Sequence, residues 1–233
     1  MPLAFSADHL PAASPEYVAW VDVMGTQASM SRSLAISANF IFKLHTAALQ
    51  APNQNVTLYP IMDGFYASSS DKGNILDFLR SVFEQVAEEF NGEASEHHRF
   101  IIKGALAFGP VIHGTNVPAQ ASQTINNFLQ YRDSLLLGLP MVQANTSEKL
   151  APPFGIFIHE SARSFAPPGQ TPLHYVWWKW RNPVNRNNSH RIWNALSQAL
   201  ETHFTWCAER AGDLEYAPDR IEFHRTMAKQ YFA

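Results

Sequence analysis

One cysteine, Cys207, is all that the 233-residue sequence contains, so no disulfide can form within the chain and disulfide-stapled extracellular scaffolds are excluded. Long apolar runs are missing as well, and no stretch approaches the length of a membrane span. The segment from Met1 to Tyr17 lacks a basic run followed by a long apolar one, so it does not read as a signal peptide. These absences predict a cytoplasmic protein without a membrane partner. Strong charge is absent too. At a formal net charge of −3, no global basic field draws the chain to nucleic acid, and none is expected as a partner. A polyanionic substrate would have to be held by local groups or by metal. The histidines offer no zinc motif, because His97, His98 and His113 lack i, i+4 or cysteine-paired spacing. Each reads as a surface or hydrogen-bonded side chain.

What is present is an ordinary globular composition, 46% hydrophobic and 16% charged, with ample apolar surface for a core. The length favours one domain with a terminal extension, the main body over residues 1–180 and a helical extension of the same domain over 181–233. Tyr17–Val23 is a β-prone apolar run closed by Met24-Gly25, and it reads as a buried strand. Apolar residues from Leu34 to Leu49 recur near helical spacing, which predicts one helix over Gln27–Gln50, stopped by Pro52 and Asn53. Val56–Met62 and Phe65–Ser68 are strands joined by Asp63-Gly64, a hairpin signal. Asp71 is placed to cap a helix over Asn74–Phe90.

A second strand pair, Phe100–Phe108 and Pro110–Gly114, is expected to turn at Gly109. Helices follow at Gln123–Leu137 and Leu139–Leu150, strands at Gly155–Ile158 and Leu173–Trp178, and helices at Ser189–Ala211 and Asp219–Phe232. Trp177, Trp178 and Trp180 read as sheet and core residues rather than a base-stacking platform. The order predicts an α/β (α+β) fold of ferredoxin-like, palm type, βαββαβ, with one antiparallel sheet and helices packed on one face.

Two carboxylates stand out by position. Asp22 lies near the end of an apolar strand, where an unpaired charge is costly to bury. Asp63 lies at the tip of the hairpin. In a βαββ unit the first strand pairs with that hairpin, so the two acids converge. Converging carboxylates repel unless a proton or cation lies between them, and Mg²⁺ binds through one or two carboxylates plus substrate phosphates. Singly, an Asp-Gly turn or a helix-capping Asp22 would explain each residue. Together they point to metal.

In this setting VDVMGT (Val21–Thr26) resembles the first-strand motif of class III nucleotidyl cyclases. PIMDGFYAS (Pro60–Ser68) resembles their hairpin, KGALAFGPVIHG (Lys103–Gly114) the strand pair after the second helix, and Gly138–Ile158 the later helix and short strand. The resemblance spans roughly residues 17–165, carried by order and spacing rather than by any one motif. It implies two Mg²⁺ or Mn²⁺ ions per site, held by Asp22, Asp63 and the Val23 carbonyl. It also implies a nucleoside triphosphate substrate whose phosphates rest on the Val23–Met24–Gly25–Thr26 turn. Lys103, with Arg99 a weaker candidate, would serve as phosphate ligand or transition-state cation. The family's active sites lie between two chains, which implies a head-to-tail homodimer in which residues after Gly138 come from the partner.

The departures are specific. Tyr59 stands where purine cyclases carry a base-reading lysine, and Leu135 where they carry a base-reading aspartate. Val142 and Thr146 align with the catalytic Asn and Arg. The pattern resembles the bacterial pyrimidine cyclases of the Pycsar antiphage systems, which implies UTP first and CTP second as substrate, and an effector encoded nearby that the product activates. A bulky tyrosine at the base position would fill the space of a purine.

Overall fold

The computed structural model describes residues 5–52, 54–181 and 186–233. Its centre is β1, Ser14–Val23, whose apolar run is buried almost end to end. The alternation along β1 divides two faces. Tyr17, Ala19, Val21 and Val23 join the main core, whereas Val18 and Trp20 join a smaller cluster on the opposite side.

After the Met24-Gly25 turn come α1 (Thr26–Arg32) and α2 (Leu34–Gln50). The single helix expected here is broken at Ser33, which is extended and whose hydroxyl accepts from the Ile36 amide at 3.3 Å, a new N-cap. Asn53, expected to help end this helix, lies outside the described residues. The hairpin is β2 (Thr57–Ile61) and β3 (Gly64–Ser69). Asp71 caps α3 (Lys72–Gly92) as expected, its carboxylate accepting from the Asn74 amide at 2.8 Å.

β4 (Ile102–His113) is one unbroken strand, not a pair turning at Gly109. It pairs with β1 antiparallel from Val111 opposite Ser14 to Ile102 opposite Val23, and that long register overrides the local Gly-Pro turn signal. Gly109 serves close approach instead, since a Cβ there would meet Pro140 at 3.0 Å. The helix expected over Gln123–Leu137 is two short ones, α4 (Gln123–Asn127) and α5 (Leu129–Asp133), followed by β5 (Leu136–Leu137) paired to the end of β4. Then come α6 (Leu139–Ser147), β6 (Ile156–Ile158), α7 (Glu160–Ser164) and β7 (Trp177–Trp178). The terminal helices are α8 (Arg186–Glu209) and α9 (Pro218–Phe232).

The sheet order is β2-β3-β1-β4-β6-β7 with β5 attached to β4, and every pairing is antiparallel except β4 with β6. The fold class is therefore the one expected, a mixed α/β palm with C-terminal helices. Helices α2, α3, α8 and α9 contribute to the core on one face, where Trp180, Trp193 and Phe204 are fully buried. Helices were expected on one face alone, but α6 covers part of the other through Ala144, over Val18, Trp20, Ala107 and Val111. Those apolar side chains would otherwise be open to water.

Candidate active site

Asp22 is the last even-numbered residue of β1 and so shares its face with Val18 and Trp20. Its register partners are Gly64 on β3 and Lys103 on β4, which sets the lysine beside the aspartate on one face. Asp63 is in the two-residue loop joining β2 to β3, and its carbonyl accepts from the Val23 amide at 3.4 Å. That bond ties the hairpin tip to the end of β1. The expected convergence of the two acids is thus present in the fold.

The hairpin turns differently from its sequence signal. The loop residues are Met62 and Asp63, and the positive φ of 42° belongs to Met62, which is 83% exposed. Gly64 is a packing glycine: a Cβ there would stand 2.4 Å from the Val21 carbonyl oxygen and 2.9 Å from the Trp20 ring.

The electrostatics single out Asp22. One carboxylate oxygen, Oδ1, is buried without a hydrogen-bond partner. Burial, then the charges of Asp63 and Glu148, push its pKa from 3.8 to about 7, against the pull of the Val23 amide and Lys103. Lys103 is not a solvated lysine at a strand edge. It is buried, and its ammonium pairs with Glu148 at 3.0 Å, just beyond α6. Asp63 and Glu148 bear on Asp22 as like charges and Lys103 opposes them, and a divalent cation would offset the excess of negative charge. An orphaned, desolvated carboxylate oxygen in that setting fits a metal. No group of three or more His, Cys, Asp or Glu side chains suited to a metal occurs among the described residues, so further ligands would be carbonyls, water or substrate.

The phosphate turn is only partly open. The Val23 amide is engaged with Asp63, the Met24 amide donates to the Ile101 carbonyl at 2.8 Å, and the Thr26 hydroxyl donates to the Val23 carbonyl at 2.8 Å. Gly25, at φ 78°, makes the turn that positions α1. Arg99 is committed elsewhere, paired with Glu96 and bonded to the Glu93 carbonyl.

Tyr59 does not stand open as a base contact. It is buried on the Asp22 face, its hydroxyl is hydrogen-bonded to His113 Nδ1, and His113 Nε2 meets Glu16 Oε1 at 2.8 Å. Burial and the Glu16 charge push the phenol up to about 12. The reason is the far end of β4, which brings His113 to Tyr59. His113 is the satisfied histidine expected, with a specific partner that no local pattern announces. Glu148 was not anticipated either, since its importance comes only from facing Lys103 across the fold.

No protein-family profile matches the chain, and no curated protein sequence matches it. Among solved structures the chain is similar to the monomeric guanylyl cyclase domain of the RhoGC fusion protein from the aquatic fungus Blastocladiella emersonii. That match has 15% identity and a TM-score of 0.50, over 66% of this chain and 85% of that one. A double mutant of the same domain matches at 16% identity and 0.50, over 66% and 83%. The guanylate cyclase domain of RhGC from Catenaria anguillulae, in complex with GTP, gives 15% identity and 0.48, over 65% and 81%. The two matches at 0.50 show the fold: this chain has the architecture of a nucleotidyl cyclase catalytic domain. No helix among the described residues is long and apolar enough to cross a membrane.

Proposed function

We propose that this chain is a nucleotidyl cyclase that closes UTP to 3′,5′-cyclic UMP and releases pyrophosphate, with CTP the second substrate. The observation that carries the reading is the partnerless buried oxygen of Asp22 beside the hairpin acid Asp63. Asp22, Asp63 and the Val23 carbonyl are assigned to two Mg²⁺ or Mn²⁺ ions. Bound there, the ions would lower the pKa of the ribose 3′-hydroxyl and neutralise the departing pyrophosphate. The amides of Gly25 and Thr26 are left for a phosphate oxygen by the bonding of Val23 and Met24. Lys103, held by Glu148, is a fixed positive charge on the same face and is assigned to the phosphate charge that develops.

The pyrimidine preference rests on the resemblance at Tyr59, whose buried ring, anchored by His113, occupies space beside Trp20 and Tyr66. The homodimer with sites at the interface is supported by the exposed apolar side chains of Met62, Leu137, Leu139 and Val142. The product would activate an effector encoded nearby, in a cytoplasmic antiviral signal. One observation favours a second reading, a domain that binds nucleotide without turnover: Thr146, in the position of the catalytic arginine, turns its hydroxyl back to the Val142 carbonyl at 2.8 Å.

The test is incubation of purified protein with ATP, GTP, CTP and UTP separately, with Mg²⁺ or Mn²⁺, and product analysis by mass spectrometry. A cyclic pyrimidine monophosphate that vanishes in Asp63→Ala supports the proposal. A cyclic purine product sinks the base preference alone. No product with either metal sinks the cyclase reading and shifts the choice to the non-catalytic binding module.

A further inference from the structure

A cavity of about 590 Å³ lies on the helix-covered side of the sheet, bounded by α1, the segment preceding β4, and the α8–α9 connection. By strand register Asp22 and Lys103 share the other face of the sheet, although the Lys103 charge reaches His224 of the lining. The volume is in the range of roughly 300–1,000 Å³ that suits a small organic ligand. The inner wall is rich in rings, with Phe40, Phe100, Trp206 and Tyr216 among its residues. The polar groups of that wall are satisfied internally. His203 Nδ1 meets Glu96 Oε2 at 2.8 Å, and the Tyr216 hydroxyl meets His224 Nδ1 at 2.5 Å. Burial holds both imidazoles below the usual histidine range, so they are uncharged near neutrality. The wall asks for an apolar, planar body.

Apart from the Glu96–Arg99 ion pair, the charged groups stand elsewhere on the lining. Arg32, Arg210 and Arg220 are there, with the carboxylates of Asp213 and Glu215. Arg32 bonds only backbone carbonyls, those of Ala28 at 3.0 Å and Asp213 at 3.4 Å. Among the described residues, neither Arg32 nor Arg220 has an ion-pair partner. Arg210 lies over the Trp206 ring at 5.3 Å and pairs with its exposed neighbour Glu209 at 3.3 Å. Guanidiniums without carboxylate partners favour an anion, and their planar forks suit a carboxylate or sulfonate. Three lining carboxylates, Glu96, Asp213 and Glu215, disfavour a polyphosphate, whose several charges they would repel.

We propose that this cavity binds a small aromatic monoanion, its ring among Phe40, Phe100, Trp206 and Tyr216 and its acidic group at Arg32 and Arg220. The site is separate from the one assigned to the nucleoside triphosphate. Met24 and Gly25, which follow directly on Asp22 and Val23, also line the cavity, so an occupant touches the turn behind the paired aspartates. Any effect of the occupant on turnover rests on the cyclase reading; binding itself does not.

The test uses the full chain at pH 7 and the aromatic sulfonate 8-anilinonaphthalene-1-sulfonate. Binding is followed by fluorescence and counted by equilibrium dialysis. One saturable site per chain is expected, displaced by indole-3-acetate but not by UTP. The double variant Arg32→Ala/Arg220→Ala should weaken binding about tenfold, the loss of a charge-assisted contact. Ala28→Trp, which fills the cavity from α1, should abolish it. Should Ala28→Trp disturb folding by circular dichroism, the arginine variant, built at two exposed positions, decides alone. Binding that does not saturate, that is unchanged in the arginine variant, or that UTP displaces as readily as indole-3-acetate overturns the proposal.

Discussion

Replacing Asp22 by asparagine keeps the shape of the side chain and removes a charge that the fold disfavours. Burial, then Asp63 and Glu148, raise this carboxyl from 3.8 to about 7. Full ionisation against that shift costs about 4 kcal/mol, reduced by relaxation and water entry to something on the order of 2 kcal/mol. The sign follows from proton binding. Between about pH 4 and 7 the folded chain keeps a proton that the unfolded chain has lost, so stability falls as pH rises and levels off above 7. His224, held down to about 4 by burial, then Lys103 and Arg220, acts in the opposite sense, losing stability as pH falls from 6.5 toward 4. The difference between wild type and Asp22→Asn isolates the aspartate. In EDTA, urea denaturation should show Asp22→Asn about 2 kcal/mol more stable at pH 8 and close to wild type near pH 4. Excess Mn²⁺ should then stabilise wild type and leave the variant nearly unmoved. If Asp22→Asn is no more stable than wild type at pH 8 in EDTA, the carboxylate is not disfavoured as reasoned. Equal stabilisation of both proteins by Mn²⁺ would place the ion elsewhere.

Met62, at φ 42° and largely exposed, carries left-handed strain at the hairpin tip. Met62→Gly is expected to gain about 1 kcal/mol in urea, after the greater freedom of unfolded glycine is set against it. Gly64→Ala should lose about 3 kcal/mol or fail to accumulate as soluble protein, because its methyl would overlap the Val21 carbonyl oxygen. Glu148→Gln leaves the buried Lys103 ammonium without its partner and should cost about 2 kcal/mol, softened by Asp22. It should also move the Asp22 transition below pH 7, read from the pH dependence of unfolding. A double-mutant cycle with Lys103→Met separates the pair from the rest, and additivity of the two changes would contradict the contact.

The hairpin and the positions of Asp22 and Asp63 were legible because they depend on local signals in a fixed order: a β-prone run, a helical stretch, and two strands around Asp-Gly. The Asp71 cap was legible for the same reason. What escaped was settled by distant partners. Gly109-Pro110 reads as a turn until β1 is long enough to pair with both sides of it. Lys103 reads as a candidate phosphate cation, and its burial against Glu148 is visible only in the fold. Tyr59 reads as an available ring until the end of β4 brings His113 to its hydroxyl. In the hairpin itself the signal was right and its local reason wrong, since Met62 takes the positive φ and Gly64 only admits a neighbour.

That neighbour is Trp20, whose ring, together with the Val21 carbonyl oxygen, occupies the volume that a side chain at position 64 would need. The constraint therefore runs one way, from these two neighbours onto position 64. A lineage that keeps the tryptophan can place only glycine after the hairpin aspartate, whatever turn it builds. One that trades Trp20 for a smaller ring or an aliphatic chain relieves the ring contact, yet still meets the carbonyl of Val21. The glycine would thus outlast the tryptophan, and its persistence among descendants would record the spacing of two strands, not the flexibility of a loop.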